Sequence, residues 1–273
     1  MAVYTKITYD ELIHFLELYK LDELIPWNGI TEGVENTNFF IETKSKKYIL
    51  TIYEKRVTSK DLPFFLNLMT HLNDNKFPCP KPIYNKYHET LSSIKGKPAA
   101  LFSFLYGKSI KRPSVIHCSQ AGSFLSIIHE SSSNFKMQRK NTLSISGWQE
   151  LIKRFNDGFN LNKDTISIIS EEIEFISNNW PKNLPNGIIH ADLFPDNVFF
   201  DKNYISGVID FYFACNDFFA YDIAIAINAW CFNEPNILDI NKSIALLNGY
   251  EKNRNLNKDE KNIFPILARG AAL

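Results

Sequence analysis

Residues 187–200 read GIIHADLFPDNVFF, and this stretch decides the fold. Its two apolar ends are typical of short strands, and its polar middle places His190, Asp192 and Asn197 on the connection between them. A carboxylate in such a position can orient a hydroxyl and accept its proton, and an amide oxygen shortly after it can hold Mg²⁺ on a nucleotide. The spacing therefore predicts phosphoryl transfer from ATP, with Asp192 as catalytic base, Asn197 as metal ligand and His190 as a residue that braces the loop. Asp, Pro and Asn are also common in turns, so the stretch alone equally fits a surface turn.

A second short apolar strand, Ser206 to Ile209, follows this stretch and ends on Asp210. A strand end close to a catalytic loop is where a kinase presents the aspartate that binds the metal on the β- and γ-phosphates. Asp210 is therefore predicted as the second Mg²⁺ ligand, although an aspartate at a strand end can also be a simple cap. Phe211 follows it as in an Asp-Phe-Gly motif, but Tyr212 replaces the glycine.

The N-terminal third alternates helical and extended patterns. A capped amphipathic helix is predicted over 8–20, a turn over 26–29, strands over 38–42 and 47–53, a helix over 61–75, and strands around 91–94 and 99–105. The segment just before the first predicted strand offers backbone approach and polar donors to nucleotide phosphates. Its predicted nucleotide-binding residues are Gly33, Asn36, Thr37 and Asn38. A plain turn is the competing interpretation of this segment.

The strand 48–53 is expected to carry the cation that kinases place on the α- and β-phosphates, but Thr51 stands at that position. Lys47, Lys55 and Arg56 are nearby in sequence, and no cation is assigned. Ile49 shares a face with Thr51 and is predicted to cover adenine, with core packing as the alternative. The run 100–107 is interpreted as a buried strand at a hinge, where Ser103 and Leu105 would meet the adenine edge.

Beyond residue 107 the pattern is mainly helical, with helices predicted over 115–130, 147–159, 164–178, 218–232, 238–250 and 258–268. The fold class is therefore α+β: a bilobal, protein-kinase-like chain with a small N-terminal lobe (1–105) built on an antiparallel sheet and a larger, mainly helical C-terminal lobe (106–273).

Composition limits the classes of function. The 273 residues contain 30 basic and 30 acidic side chains, so no net field would attract nucleic acid or an anionic membrane. The four cysteines have neither zinc-ligand spacing nor a disulfide pattern, and the N-terminus does not resemble a secretory signal. We therefore expect a cytoplasmic protein with a small-molecule substrate and without a nucleic-acid or membrane partner. The sequence does not decide the oligomeric state.

Seven segments in order resemble the homoserine kinases of the choline-kinase and aminoglycoside-phosphotransferase superfamily. They are GVENTNFF, YILTIYEKR, DLPFFLNLM, FPCPKP, ALFSFLYGKS, GIIHADLFPDN and GVIDFYFACNDFFAYDIAIAINAWCF. The resemblance covers nearly the whole chain. It implies MgATP bound between two lobes, L-homoserine as phosphoryl acceptor, and a role in threonine biosynthesis. It also implies the same roles for Asp192, Asn197 and Asp210.

Two alternatives stay open. One is a kinase of the same superfamily with another acceptor, such as an aminoglycoside, choline or a methylthioribose-like sugar; the few acidic residues after Asp210 disfavour a polycation. The other is a catalytically silent binding protein, which the missing cation at Thr51 favours. A homoserine site needs a carboxylate for the ammonium group and a cation for the carboxylate. The acidic candidates are Asp217 and Asp222, and the basic candidates are Arg139, Arg154 and Arg269. For Asp222, bracing of the loop or of the helix start is the preferred role.

Overall fold

The structure is a computed structural model that describes residues 4–31, 36–54, 58–158, 162–234 and 237–273. The chain divides into two compact units. The first comprises Met1–Gly107 with Ser206–Tyr212, and the second comprises Lys108–Ile205 with Phe213–Leu273. The first contains an antiparallel sheet and the second is mainly helical, so the predicted α+β class is confirmed. The functional boundary at residues 105 and 106 stays a prediction.

Apart from β1, the elements of the first unit follow the predicted order. They are α1 (Tyr9–Leu16), β1 (Leu24–Ile30), β2 (Thr37–Thr43), β3 (Lys47–Ile52), α2 (Leu62–Asp74), β4 (Ser92–Ile94) and β5 (Lys97–Ser103). The second unit contains α3 (Val115–Ser131), α4 (Ile145–Gly158), α5 (Lys163–Asn179), β6 (Asn186–Ile189), a 3₁₀ turn (Pro195–Asn197), β7 (Val198–Asp201), β9 (Cys215–Phe218), α6 (Phe219–Trp230), β10 (Phe232–Glu234), β11 (Ile237–Leu238), α7 (Ile240–Tyr250) and α8 (Lys258–Gly270). Strand β8 (Tyr204–Val208) pairs with β7, and its last residues belong to the first unit.

The sheet of the first unit has the order β1-β2-β3-β5-β4, and all of its pairs are antiparallel. Helix α1 begins with the predicted capping box, in which the Thr8 hydroxyl accepts from the Glu11 N–H at 3.3 Å and the Glu11 carboxylate accepts from the Thr8 N–H at 2.8 Å. Its apolar face packs on the sheet. The shared core contains Leu12, Phe15, Leu16, Phe39, Ile41, Leu50, Ile52 and Leu101.

Three local predictions are wrong in this unit. The helix predicted over 8–20 ends at Leu16, with Glu17 as its C-cap. Residues 26–29 form part of strand β1 rather than a turn, because Trp27 pairs with Ile41 across β2. Pro26 is tolerated there since β1 is an edge strand and a register shift falls between Leu24 and Trp27. The run predicted as a strand to residue 105 ends at Ser103 in β5.

Close helix packing in the second unit brings Tyr250 next to α3. Helices α3 and α7 pack closely because Gly122 and Gly249 face each other's backbones: a Cβ on Gly122 would lie 2.0 Å from the Leu246 carbonyl oxygen, and one on Gly249 would lie 1.9 Å from that of Ser119. Tyr250, at the end of α7, thereby reaches α3. None of the described helices is both long enough and apolar enough to span a bilayer.

Candidate active site

The loop between β6 and β7 is closed by hydrogen bonds among its own polar residues. The side-chain NH₂ of Asn197 donates to the Asp192 backbone carbonyl and to its carboxylate Oδ2, each at 2.9 Å. The Phe194 N–H donates to the Asp192 carbonyl at 2.7 Å, and the short 3₁₀ turn then delivers Asn197. The two residues predicted as base and metal ligand are thus in direct contact, and the amide nitrogen of Asn197 is directed at Asp192.

His190 is fully buried at the start of this loop, and its Nδ1 accepts from the Asp192 N–H at 3.2 Å. A ring without solvent access that holds the backbone of the neighbouring aspartate supports the bracing role over proton exchange with a substrate. Ala191, between them, has a φ of 61°. This left-handed conformation costs a residue with a side chain about 1–2 kcal/mol, so the surrounding structure must hold it in place.

Asp222, on α6, holds that strained backbone. Its carboxylate is fully buried and accepts from the N–H groups of His190 and Ala191, both at 2.9 Å. The expectation that Asp222 braces the loop is confirmed. With both oxygens engaged and no exposed surface, Asp222 does not fit the alternative role of binding a substrate ammonium group.

A chain of buried polar side chains supports Asp222 from behind. His129 Nε2 contacts the Asp222 carboxylate at 2.9 Å, and His129 Nδ1 contacts the Tyr250 hydroxyl at 2.7 Å. Arg254 donates to the same hydroxyl at 3.1 Å and to the buried carboxylate of Glu260 at 2.8 Å. Since a guanidinium only donates, the Tyr250 hydroxyl oxygen accepts a hydrogen bond from Arg254, and the hydroxyl can itself donate a hydrogen bond to His129 Nδ1. This network runs from the cap of α8 to the catalytic loop.

His129 was not connected to the loop from sequence. A signal was present: Leu125, Ile128 and His129 share the buried face of α3, and a histidine on an apolar face requires a polar partner. The partner, Asp222, lies 93 residues further along the chain, and no local pattern identifies it.

In the first unit, the described part of the predicted phosphate segment lies at the start of β2. Gly33 lies outside the described residues. The hydroxyl of Thr37 accepts from the Thr5 N–H at 3.0 Å and donates to Glu54 at 2.8 Å. The Thr37 hydroxyl proton is therefore donated to Glu54 in this structure, and the nucleotide-binding role of Thr37 stays a prediction. Asn36 accepts from the Glu54 N–H at 3.3 Å, so Glu54 organises this segment.

Glu54 was not recognised from sequence. It also accepts a hydrogen bond from Thr5 at 2.6 Å and forms an ion pair with Lys97. Burial pushes the pKa of the Glu54 carboxyl up, but the hydrogen bonds from Lys97, Thr5 and Thr37 outweigh that effect and lower it. Glu54 is therefore a charged group that ties the N-terminal segment, β2 and β5 together.

Thr51, which stands where kinases carry a cation, forms an uncharged hydrogen bond. Thr51 donates to the Asn38 side-chain oxygen at 2.7 Å across the β2–β3 pair, which directs the amide nitrogen of Asn38 elsewhere. Ile49 is half-buried on the same face of β3. Ser103 accepts from the Lys81 N–H at 2.9 Å and Leu105 lies beyond the end of β5 against Gly207. The nucleotide-binding roles of Asn38, Ile49, Ser103 and Leu105 stay predictions.

Asp210 belongs to the first unit and has a φ of 63°, a conformation that residues with a side chain rarely adopt. The residues after it anchor the turn. Phe211 is buried, and the Tyr212 ring contacts Tyr53 and Phe65 edge-on at 5.5 and 5.6 Å between centroids. The Tyr212 hydroxyl donates to that of Tyr53 at 3.1 Å. Tyr212, which stands in place of a glycine, thus ties the Asp210 turn to β3 and α2.

Strand β9, which the sequence did not predict, brings a carboxylate beside the catalytic strand. Asp217 pairs in register with Gly187 of β6. Its side chain accepts from Asn141 at 2.7 Å and from the Phe218 N–H at 2.7 Å, and desolvation raises the pKa of its carboxyl. Arg139 lies in the neighbouring segment and donates to the carbonyls of Phe213 and Ala214 at 3.4 and 3.1 Å.

The other two arginine candidates lie on exposed helical surfaces. Arg154 pairs with Glu150 within α4, and Arg269 of α8 pairs with Glu172. Asp217 and Arg139 are therefore the acceptor candidates that the structure places at or beside β9, the strand that pairs with β6.

An Asp–Asn pair on a loop with a braced left-handed residue, and in the other unit an Asp-Phe turn anchored to an antiparallel sheet, are the features expected of a kinase-like phosphotransferase. Residues 26–256 match the profile of the phosphotransferase enzyme family. The chain is 48% identical to the homoserine kinase of Sinorhizobium medicae, with 100% of the chain and 84% of that relative covered. It is 46% identical to the homoserine kinase of a Bradyrhizobium species, with 100% and 85% covered. The chain therefore belongs to the phosphotransferase enzyme family and, within it, to the homoserine kinases.

Solved structures give the same fold at much lower identity. An aminopropanol kinase associated with a microcompartment aligns with a TM-score of 0.76 at 15% identity, over 95% of this chain and 85% of that chain. An amicoumacin kinase solved with AMP-PNP, Ca²⁺ and its antibiotic aligns with a TM-score of 0.75 at 12% identity, over 96% and 83%. These likenesses confirm the bilobal kinase-like class, and at such identities they concern the fold alone.

Proposed function

We propose that the protein transfers the terminal phosphoryl group of ATP to the side-chain hydroxyl of L-homoserine, which yields O-phosphohomoserine for threonine biosynthesis. The observation that carries the proposal is the whole-chain identity of 48% to a homoserine kinase. The catalytic loop supports it, because its geometry suits phosphoryl transfer to an alcohol. The likeness to the amicoumacin and aminopropanol kinases does not favour either of their acceptors here, since it concerns the fold alone.

Asp192 orients the acceptor hydroxyl and takes its proton as the new P–O bond forms. Phosphoryl transfer involves little covalent work by the protein, so position matters most. The two bonds from Asn197 and the bond between Asp192 N–H and His190 fix the carboxylate relative to the backbone. Asp222 fixes the backbone itself through His190 and Ala191. Asp192 is the catalytic residue in this scheme, whereas His190, Asn197 and Asp222 position it.

Two side chains have the chemistry to hold Mg²⁺. The nitrogen of Asn197 is directed at Asp192, which leaves its amide oxygen as the donor atom that a hard cation prefers. Asp210 offers a carboxylate on a turn anchored by Tyr212. When bound, Mg²⁺ would neutralise phosphate charge on the nucleotide. The nucleotide itself is proposed to contact the first unit through Gly33, Asn36, Thr37, Asn38, Ile49, Ser103 and Leu105.

Homoserine is a small zwitterion, so its site needs one acidic and one basic partner. We assign the ammonium group to Asp217 and the carboxylate to Arg139. Both belong to the second unit, and both are held near β9 by side-chain bonds to Asn141 and to backbone carbonyls. A bound ammonium would also compensate Asp217 for the desolvation that raises its pKa.

The proposal is tested by comparing kcat/KM for L-homoserine, L-serine, L-threonine, choline and an aminoglycoside in an ADP-release assay at saturating MgATP. Homoserine should be the best acceptor by at least about tenfold, a margin of about 1.4 kcal/mol. Asp217→Asn should raise the KM for homoserine and leave the KM for ATP unchanged. Equal turnover of all acceptors would reject homoserine as the specific substrate and would support only a kinase whose acceptor is unassigned. Absence of ADP release with every acceptor would favour a silent binding protein.

A further inference from the structure

The first unit contains a cavity of about 680 Å³ whose walls are strongly basic. Five lysines line it, and neither aspartate nor glutamate does. They are Lys20, Lys46, Lys47, Lys81 and Lys86. The chain as a whole has a formal net charge of zero, so this concentration of positive charge is a local feature and not a consequence of composition.

Nearby acids neutralise only part of this charge. Lys47 pairs with Glu42 at 3.5 Å, and Asp22 accepts from Ser45 at the rim of the cavity. Among the residues that the structure describes, Lys20, Lys46 and Lys81 form no ion pair. Lys86 lies over the Tyr87 ring at 5.4 Å and has no acidic partner in the same described set. Lysines that face one concave volume without carboxylates repel one another, and a bound anion would relieve that repulsion.

The segments that carry the lysines are fixed to one another by backbone hydrogen bonds. The Lys86 N–H donates to the Leu18 carbonyl beyond α1 at 2.7 Å, and the Ile83 N–H donates to the Leu101 carbonyl of β5 at 2.8 Å. The Ser103 N–H donates to the Lys81 carbonyl at 2.9 Å. The cavity is therefore preformed, and a ligand would not have to order the loop.

The rest of the lining is apolar and aromatic. Leu21 and Ile83 form an apolar surface, while Phe104 and Tyr106 contact each other edge-on at 5.1 Å between ring centroids. Among the described residues proposed to bind the nucleotide, only Ser103 lines this cavity, and its hydroxyl is bonded to Lys81. The cavity is thus distinct from the predicted phosphate segment at the start of β2.

We propose that this cavity binds a small molecule with two or more phosphate or carboxylate groups, whose apolar part lies on Leu21 and Ile83. Lys20, Lys46, Lys81 and Lys86 supply the charge, the fixed backbone supplies preorganisation, and the concave shape suits a small ligand rather than an extended polymer. The site does not depend on the identity of the phosphoryl acceptor.

The test is isothermal titration calorimetry of the full chain with inorganic tripolyphosphate in one arm and citrate in the other, first without Mg²⁺ or nucleotide and then with saturating MgADP and excess Mg²⁺. Because both anions chelate Mg²⁺, each titration is corrected by the same titration without protein. We expect binding in at least one arm, and the better ligand distinguishes a phosphate from a carboxylate source. Binding should weaken as salt rises, because the Debye length falls from about 10 Å at 0.1 M to about 3 Å at 1 M. Absence of binding at low salt in both arms, or its loss when MgADP is added, would overturn the proposal.

Variants locate the bound anion. Lys46→Ser combined with Lys86→Ser should weaken binding by about tenfold, since each removes one charge from the wall. Lys44→Ser is the matched control: Lys44 lies in the same β2–β3 turn, pairs with Glu23 and does not line the cavity. Both variants should keep the parent's kcat. Equal affinities for the double variant and the control would place the anion elsewhere and reject the site.

Discussion

Replacing Asp222 by asparagine tests whether the buried brace positions the catalytic loop. The carboxylate takes part in three hydrogen bonds of 2.9 Å. Its Oδ2 accepts from the His190 N–H and is bonded to His129 Nε2, and its Oδ1 accepts from the Ala191 N–H. Asparagine keeps the shape but brings an NH₂ group. In either orientation that group faces a backbone N–H, so at least one bond is replaced by two opposed donors.

The magnitude follows from that geometry. One buried donor without an acceptor costs about 1–3 kcal/mol, and loss of the negative charge weakens the bonds that remain. We expect the free energy of unfolding to fall by about 3 kcal/mol. The strained φ of 61° at Ala191 then loses its support, and Asp192 shifts with it. A displacement of about 1 Å at a reacting group can cost about 10²-fold, so kcat should fall on that scale while the KM for ATP stays nearly constant.

The assay is kcat and KM by ADP release, measured at a temperature where circular dichroism shows the variant to be folded. Asp196→Asn is the matched control, because Asp196 is an exposed aspartate of the same loop and should give the parent's kcat. Adding Ala191→Gly to Asp222→Asn should recover part of kcat, since glycine adopts a positive φ without strain. A folded Asp222→Asn protein with the parent's kcat would refute the positioning role, and no recovery with glycine would refute the proposed route through Ala191.

Four further changes test the remaining assignments. Asp192→Ala should lower kcat by about 10²- to 10⁴-fold without weakening ATP binding, measured by calorimetry, and near-normal turnover would remove it from the mechanism. Asp210→Ala should abolish the Mg²⁺ dependence of ATP binding, and unchanged MgATP affinity would contradict the metal assignment. Tyr212→Phe keeps the ring contacts and should raise the half-saturating Mg²⁺ concentration less than Tyr212→Ala; equal effects would argue against anchoring. Glu54→Gln should lower Tm at pH 7, and because the folded pKa of Glu54 is lowered, this difference should close as the pH falls through 4.5 and below.

Local patterns predicted the parts of the fold that local forces decide. The eight helices of the described residues begin near the predicted positions, and all except α1, which ends four residues early, also end near them, because amphipathic spacing and caps such as Thr8 with Glu11 act within one or two turns. The contact of Asp192 with Asn197 was predictable for the same reason, since both lie on one short loop. Strand β1 was missed because Pro26 and Gly29 suggest a turn, and only pairing with β2 makes that segment extended.

What the sequence could not predict depends on contacts between distant segments. Asp217 is placed next to the catalytic strand by the pairing of β9 with β6, and the four-residue length of β9 carries no clear periodicity. The lysine-rich cavity draws its walls from the segment after α1, the β2–β3 turn, the start of β3, the segment after α2, and the end of β5 with the residues that follow it. Four of the five lysines are exposed and Lys47 is half-buried, and the charge becomes unusual only when the fold brings the five together.

The two departures from the kinase pattern, Thr51 and Tyr212, are explained together by the structure. In protein kinases an ion pair between a strand lysine and a helix glutamate ties the sheet to the helix beside the metal-binding aspartate. Here the Tyr212 ring makes that connection, since it contacts Tyr53 of the segment after β3 and Phe65 of α2. Thr51 also interacts with the Tyr212 hydroxyl, whose pKa is raised first by burial and then by Tyr53. A lysine at position 51 would bring a charge against this buried aromatic cluster, and desolvation would oppose it. The uncharged contacts of Tyr212 with Tyr53 and Phe65 therefore account for the absence of a cation at position 51. That absence does not by itself favour a silent binding protein.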